Sequence, residues 1–161
     1  GKGTTFRVYL PRFTGEKAEI TVPVEQPDTI SGGETILVVE DDVLILDICR
    51  KMLDKLGYRV LLAESPLKAL ELMREYRDEV HLLVTDVVMP EMNGRALEQA
   101  LKPINPNLRS LFISGYTADA IAHHGVLDQD VCFLQKPFSL QDLAIKVRQA
   151  LDVTCASRHS H

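Results

Sequence analysis

The chain has 161 residues, 45% of them hydrophobic and 25% charged, with three cysteines, no tryptophan and a net charge of −5. That is enough for one packed core; it excludes disorder throughout and leaves no room for two full-sized domains. No apolar stretch is long enough for a membrane span, and no basic-then-apolar leader opens the chain. Cys49, Cys132 and Cys155 lack metal-ligand spacing, and their odd number suits a reducing compartment, so a cytoplasmic protein is expected.

In chain order, Gly1 to Pro11 reads as a glycine-containing loop entering a short strand, Thr5 to Leu10, which Pro11 ends. Residues 12–33 hold no period and contain Pro23, Pro27 and Ser31-Gly32-Gly33, the composition of an interdomain linker. The run Thr35-Ile-Leu-Val-Val39 has the pattern of a strand buried on both faces. Helical spacing follows over Asp42–Leu56, with Asp42 a candidate N-cap and Gly57 a stop. Arg59–Ala63 is a second strand, and Pro66 opens a helix through Leu67, Leu70 and Met73.

His81–Thr85 is a third strand, ending at Asp86, and Asn93–Leu101 a short helix closed by Pro103. Leu108–Ile113 is a fourth strand ending at Ser114, Thr117–His124 a weak helix, and Val131–Gln135 a fifth strand. Ser139–Leu151 is a final amphipathic helix, with Ser139 and Asp142 a short-armed capping box. Val153–His161 reads as a loose tail whose His159 and His161 carry no metal site. Strands alternating with helices predict an α/β fold: a five-stranded parallel sheet, doubly wound, covered by helices on both faces.

Charge sharpens this picture. Residues 1–33 are balanced, whereas residues 34–152 hold 13 basic and 19 acidic side chains, and no basic stripe offers a nucleic-acid surface. Sites in such sheets form beyond the carboxyl ends of the strands. There the chain places Glu40-Asp41-Asp42 after strand one, Asp86 after strand three, Ser114 after strand four and Lys136-Pro137 after strand five. Clustered carboxylates repel unless a cation joins them, and an oxygen-only set with an open position suits Mg²⁺ or Mn²⁺. A carboxylate beside that ion can attack phosphorus, with lysine and hydroxyl stabilising the transferred group. Each residue alone is as readily a cap or a turn; the combination after four strands of one sheet is what points to chemistry.

Residues 34–152 resemble the receiver domain of two-component response regulators, of flavodoxin-like, CheY-like architecture. The resemblance lies in Ile36-Leu-Val-Val-Glu-Asp-Asp42, Val84-Thr-Asp-Val-Val-Met-Pro-Glu-Met-Asn-Gly94, Ile113-Ser-Gly115 and Phe133-Leu-Gln-Lys-Pro-Phe138. It implies that Asp86 is the phosphoacceptor, that Asp41 and Asp86 ligate Mg²⁺, that Glu40 acts through a water, and that the Val88 carbonyl is the third inner ligand. Ser114 and the backbone N–H after Asp86 would bind phosphoryl oxygens, and Lys136 would pair with the phosphate through a cis Lys136–Pro137 bond. Phe133 and Ser114 would form the switch; Phe133 holds the aromatic position where tyrosine is frequent, and without a hydroxyl its rotamer change would alter packing alone. Gly94 would supply turn geometry that other residues resist. Val88 and Tyr116, if both crowd the phosphoryl group, would prolong its life.

Gly1 to Pro11 resembles the last glycine-rich box and following strand of a histidine-kinase ATP-binding domain. With the linker and receiver, it implies the C-terminal piece of a hybrid sensor histidine kinase, an ATP:protein-histidine phosphotransferase. The fragment itself is then no enzyme and binds no ATP. Its expected partners are the parent kinase core or a histidine phosphotransfer protein, with no nucleic acid or membrane contact. The segment 117–124, the fifth strand and the final helix would form its reporter surface. The oligomeric state stays open, a monomer being the simpler expectation. Two alternatives remain: an aspartate-nucleophile phosphatase, which needs a second acid where Val88 stands, and a receiver-like interaction module that is never phosphorylated.

Overall fold

The structure, a computed structural model, describes Gly3 and residues 32–115 and 131–152. The strand expected at Thr5–Leu10, the linker up to Ser31, the weak helix 117–124, Tyr116 and the tail all lie outside the described residues. Within them the chain runs β1 (Thr35–Val39), α1 (Val43–Lys55), β2 (Arg59–Ala63), α2 (Pro66–Glu75), β3 (Val80–Asp86), α3 (Gly94–Leu101), β4 (Arg109–Ser114), β5 (Cys132–Gln135) and α4 (Leu140–Asp152). The five strands pair in parallel in the order β2-β1-β3-β4-β5.

Alternation along the central strands builds two separate apolar layers, because successive side chains leave a strand on opposite faces. Ile36, Val38, Leu82, Val84, Leu111 and Ile113 meet Leu46, Cys49 and Leu53 of α1 and Leu143 and Val147 of α4. Leu37, Val39 and Leu83 meet Ala69 and Met73 of α2 and Leu97 and Leu101 of α3 on the other face. Each fully buried Leu or Ile contributes about 1.5–3 kcal/mol, so these layers are the main source of stability. Burial in the α1/α4 layer also pushes the Cys49 thiol up to about 11, which keeps it protonated and inert.

Local signals end the helices where the sequence places them. The Asp42 side chain accepts the N–H groups of Leu44 (2.8 Å) and Ile45 (3.4 Å), and Ser65 accepts that of Lys68 ahead of Pro66. At the far end of α1, Gly57 takes φ 84° while its N–H reaches Asp54 O and the Tyr58 N–H reaches Leu53 O. Those two bonds make a Schellman cap, with Tyr58 packed in the same layer as Leu53. At the opposite end of the sheet from the strand C-termini, Asn105 donates to the carbonyls of Arg77 and Val80, both at 2.9 Å, and ties two loops together.

The capping box of α4 is reciprocal. Ser139 N–H and Oγ both donate to Asp142 Oδ2 (2.9 and 2.6 Å), and the Asp142 N–H returns to Ser139 Oγ (3.2 Å). These bonds hold the Asp142 carboxyl below its ordinary range. A depressed carboxyl contributes stability above its unfolded pKa and loses it as pH falls through the folded value. Ser139→Ala is therefore expected to lower stability at pH 7 and to flatten the loss between about pH 5 and pH 2, read from urea unfolding across that range. In the core, Leu83→Ala should cost about 2–5 kcal/mol in the same measurement.

Candidate functional site

Because all five strands run the same way, their C-terminal ends share one edge, and the register there is close. Val39 pairs with Thr85, and Asp86 with Ile113. Glu40 and Asp86, one residue beyond or at the ends of adjacent strands, are thereby brought together. Lys136, just past β5, reaches both: its Nζ donates to Glu40 Oε2 and to Asp86 Oδ2, each at 2.7 Å. The side chains of Glu40, Asp86 and Lys136 are only 5, 13 and 18% exposed. The Lys136–Pro137 peptide is cis, and the Lys136 N–H donates to the Ser114 carbonyl at 2.7 Å.

Burial raises the Glu40 carboxyl above its ordinary range, although Lys136 pulls against it. Burial pushes the Lys136 ammonium down, but hydrogen bonds to Asp86 and Glu40 outweigh it and leave the lysine raised. The lysine therefore stays charged, as a paired cation with two carboxylate partners should. Asp41 is exposed beside this trio, and the adjacent Asp42 is occupied as the cap of α1. Ser114 is fully buried at the end of β4. Phe133 is half-buried, packed on the small cluster of Val87 and Phe112, its register partner in β4. Val88 stands 49% exposed at the rim.

Two expectations need correction. The N–H directly after Asp86, that of Val87, is committed to the Ile113 carbonyl at 3.0 Å as part of the sheet. It is the Val88 N–H, one further on, that faces the Asp86 carboxylate and donates to its Oδ1 at 3.0 Å. Gly94 is not needed for an unusual backbone angle, since the positive φ in this loop belongs to Glu91, at 69°. Glycine is required at 94 for space: a Cβ there would overlap the Asp86 carbonyl oxygen and come within 3.0 Å of Thr85 Cγ2. A spacing pattern marks glycine as special; only packing shows which of its two properties is used.

Thr85 itself was missed. It is fully buried, and its Oγ1 donates to the Asp86 carbonyl at 3.1 Å. A polar residue at an inward position of a strand was the available signal. Among the described residues, no three carboxylate, histidine or cysteine side chains converge into a formed metal cage. The donors at this edge are nevertheless all oxygens, with Lys136 already supplying positive charge to two of them. The Val88 carbonyl has no hydrogen-bond donor among the described residues. That chemistry fits a hard divalent cation with an open position.

Residues 36–148 match the response regulator receiver domain family, and the chain belongs to that family. Its residues 36–148 form a receiver of two-component signalling. Among its relatives, the sensor kinase CckA of Brucella abortus (strain 2308) is 41% identical over 159 residues, covering 94% of this chain but 17% of the kinase. The response regulator receiver protein CpdR of the same organism is 36% identical over 116 residues, covering 72% of this chain and 95% of that protein. The chain thus spans about a sixth of the length of one relative and nearly all of the other. The crystal structure of the receiver domain from the hybrid histidine kinase CckA superposes with a TM-score of 0.62 at 31% identity, over 73% of this chain and 99% of that one. A receiver domain protein from Clostridium thermocellum gives 0.66 at 27% identity, over 74% and 94%.

Gly94→Ala should push α3 away from the acceptor loop, lowering stability by about 1–3 kcal/mol. It should also shift the backbone amide resonances of Asp86 and Val88, which Ala96→Gly, on the same helix, should leave in place.

Proposed function

We propose that this chain accepts a phosphoryl group from phosphohistidine onto Asp86 and passes the signal on by a change in packing. The observation that carries the reading is the single ammonium of Lys136 held 2.7 Å from both Glu40 and Asp86 at the carboxyl edge of the sheet. An Asp86 oxygen attacks phosphorus, the P–N bond to the donor imidazole breaks, and the imidazole leaves with its electron pair and takes up a proton. As charge builds on the phosphoryl oxygens, Lys136 turns from the carboxylates to them, and the Val88 N–H and the Ser114 hydroxyl donate to the others. Asp41, Asp86 and the Val88 carbonyl would hold Mg²⁺ or Mn²⁺, with Glu40 bound through a water. When bound, that ion neutralises the acids and the incoming phosphate.

The histidine donor must approach over the rim of this site, where α1 presents apolar side chains to solvent. Leu44 is 75% exposed, and Val43, Ile48 and Val88 are also exposed. Leu44 and Ile48 are four residues apart, on one helix face. Such a surface suits the helices of a histidine kinase core or a histidine phosphotransfer protein, the two partner classes with which receivers work. We place the chain, as a cytoplasmic receiver, at the C-terminal end of a hybrid sensor histidine kinase on two grounds: the likeness of Gly1–Pro11 to the end of a kinase ATP-binding domain, and the 159-residue match to CckA. Residues 12–33 are then the linker, 34–152 the receiver and 153–161 a tail.

Incubation with Mg²⁺ and acetyl phosphate should add the mass of one phosphate, and Asp86→Asn should abolish it. A wild-type chain that gains no such mass would leave only the interaction-module reading. Val88→Asn should admit water to the acceptor and shorten the phosphate's half-life, timed by loss of that mass; an unchanged or longer half-life refutes the shielding role. Ile48→Asp should slow transfer from a phosphohistidine donor by about tenfold or more through an uncompensated charge in an apolar contact, while leaving acetyl phosphate labelling unchanged.

A further inference from the structure

We propose that Thr85 is a positioning residue for the acceptor loop: its buried hydroxyl fixes the main-chain carbonyl of Asp86, and so the turn that offers the Asp86 carboxylate and the Val88 carbonyl to a divalent cation. The proposal rests on Asp86 being the phosphoacceptor. Thr85 lies on the α2/α3 face of β3, beyond Leu83 and in register with Val39 of β1. Its register partners on either side, Val39 of β1 and Phe112 of β4, are apolar, and valine would fill the same volume. A hydroxyl at such a position is costly unless it is bonded.

Its bond goes to the loop. Thr85 Oγ1 donates to the Asp86 carbonyl at 3.1 Å, its other polar neighbour being the weakly accepting Met89 sulfur at 3.9 Å. The Thr85 methyl lies against the place where Gly94 begins α3. One side chain therefore supports both the acceptor's carbonyl and the helix that follows.

The main-chain groups of the turn are then accounted for in order. Asp86 C=O accepts from Thr85, Val87 N–H donates to Ile113, Val87 C=O accepts from Gly94, and Val88 N–H donates to Asp86 Oδ1. The next group along, the Val88 carbonyl, has no donor among the described residues. A turn fixed at four successive points with the fifth left open presents that oxygen without a search through conformations, which is what a weakly held hard cation requires. Thr85 is the side-chain member of the set.

The test compares Thr85→Val, which removes the hydroxyl at constant shape, with Thr85→Ser, which keeps it. Mg²⁺ is titrated into each full chain and followed by the backbone amide shifts of Val88 and Gly94. Acetyl phosphate labelling of the wild type and Asp86→Asn is run alongside. Expected are about tenfold weaker Mg²⁺ binding in Thr85→Val and affinity within about twofold of wild type in Thr85→Ser. A role in stability alone would leave Mg²⁺ affinity unmoved once both variants are folded. Thr85→Val binding Mg²⁺ as tightly as wild type overturns the proposal, as does Thr85→Ser binding as weakly as Thr85→Val, or a wild type that binds none. Should Thr85→Val not fold, Thr85→Cys, a weak donor of similar size, replaces it, and equal affinity of the Cys and Ser variants overturns the proposal. A wild type that binds Mg²⁺ but takes no phosphate instead defeats the phosphoacceptor reading, with the Thr85 comparison still read from the metal titration.

Discussion

Two carboxylates withdrawn from water, Glu40 and Asp86, stand side by side because one ammonium reaches both. Without Lys136, two buried carboxylates would repel each other with no cation between them, which would force the strand ends apart. With it, the edge of the sheet carries two acids whose charge is balanced by a group that can move. Lys136 has to arrive from β5, at the far edge of the sheet, and the Ser114 carbonyl receives its N–H and holds the chain there. The order β2-β1-β3-β4-β5 is therefore as much a part of the site as the side chains are.

That arrangement also explains how the rest of the molecule is used. The two apolar layers, one under α1 and α4 and the other under α2 and α3, hold the central strands rigidly in register. Rigidity there lets the loops at the carboxyl edge be short and still precise. The β3–α3 loop is held by close contacts. It includes Glu91 at φ 69°, a three-residue turn from Pro90 O to the Met92 N–H, and the close approach of Gly94 to Asp86. Strain and close contact are concentrated next to the acceptor, where accuracy has chemical value.

The half-buried Phe133 sits between these two regimes. It packs on Phe112 and Val87, the residue that directly follows the acceptor. The loop that follows Asp86 is thus in contact with a partly buried aromatic ring. Lacking a hydroxyl, Phe133 can make only packing contacts there.

Much of this was legible in the sequence because the physics is local. Alternating strands and helices, the apolar run of β1, the caps at Asp42 and Ser139, and the stop at Gly57 are short-range patterns, and the observed elements start and end within a residue or two of them. The acids, hydroxyl and lysine were also visible as residues after strands, and the receiver family followed from them. Tertiary structure alone decided which groups touch. It gave Lys136 two partners rather than one, assigned the facing N–H to Val88 because sheet pairing had already taken that of Val87, and turned Gly94 from a conformational requirement into a spatial one. It also revealed Thr85, whose hydroxyl is ordinary in a sequence and significant only beneath the acceptor's carbonyl. Sequence records propensity along the chain, whereas hydrogen-bond competition and close approach depend on which groups the fold brings together, whether 50 and 96 residues apart, as Lys136 is from Asp86 and Glu40, or within one loop.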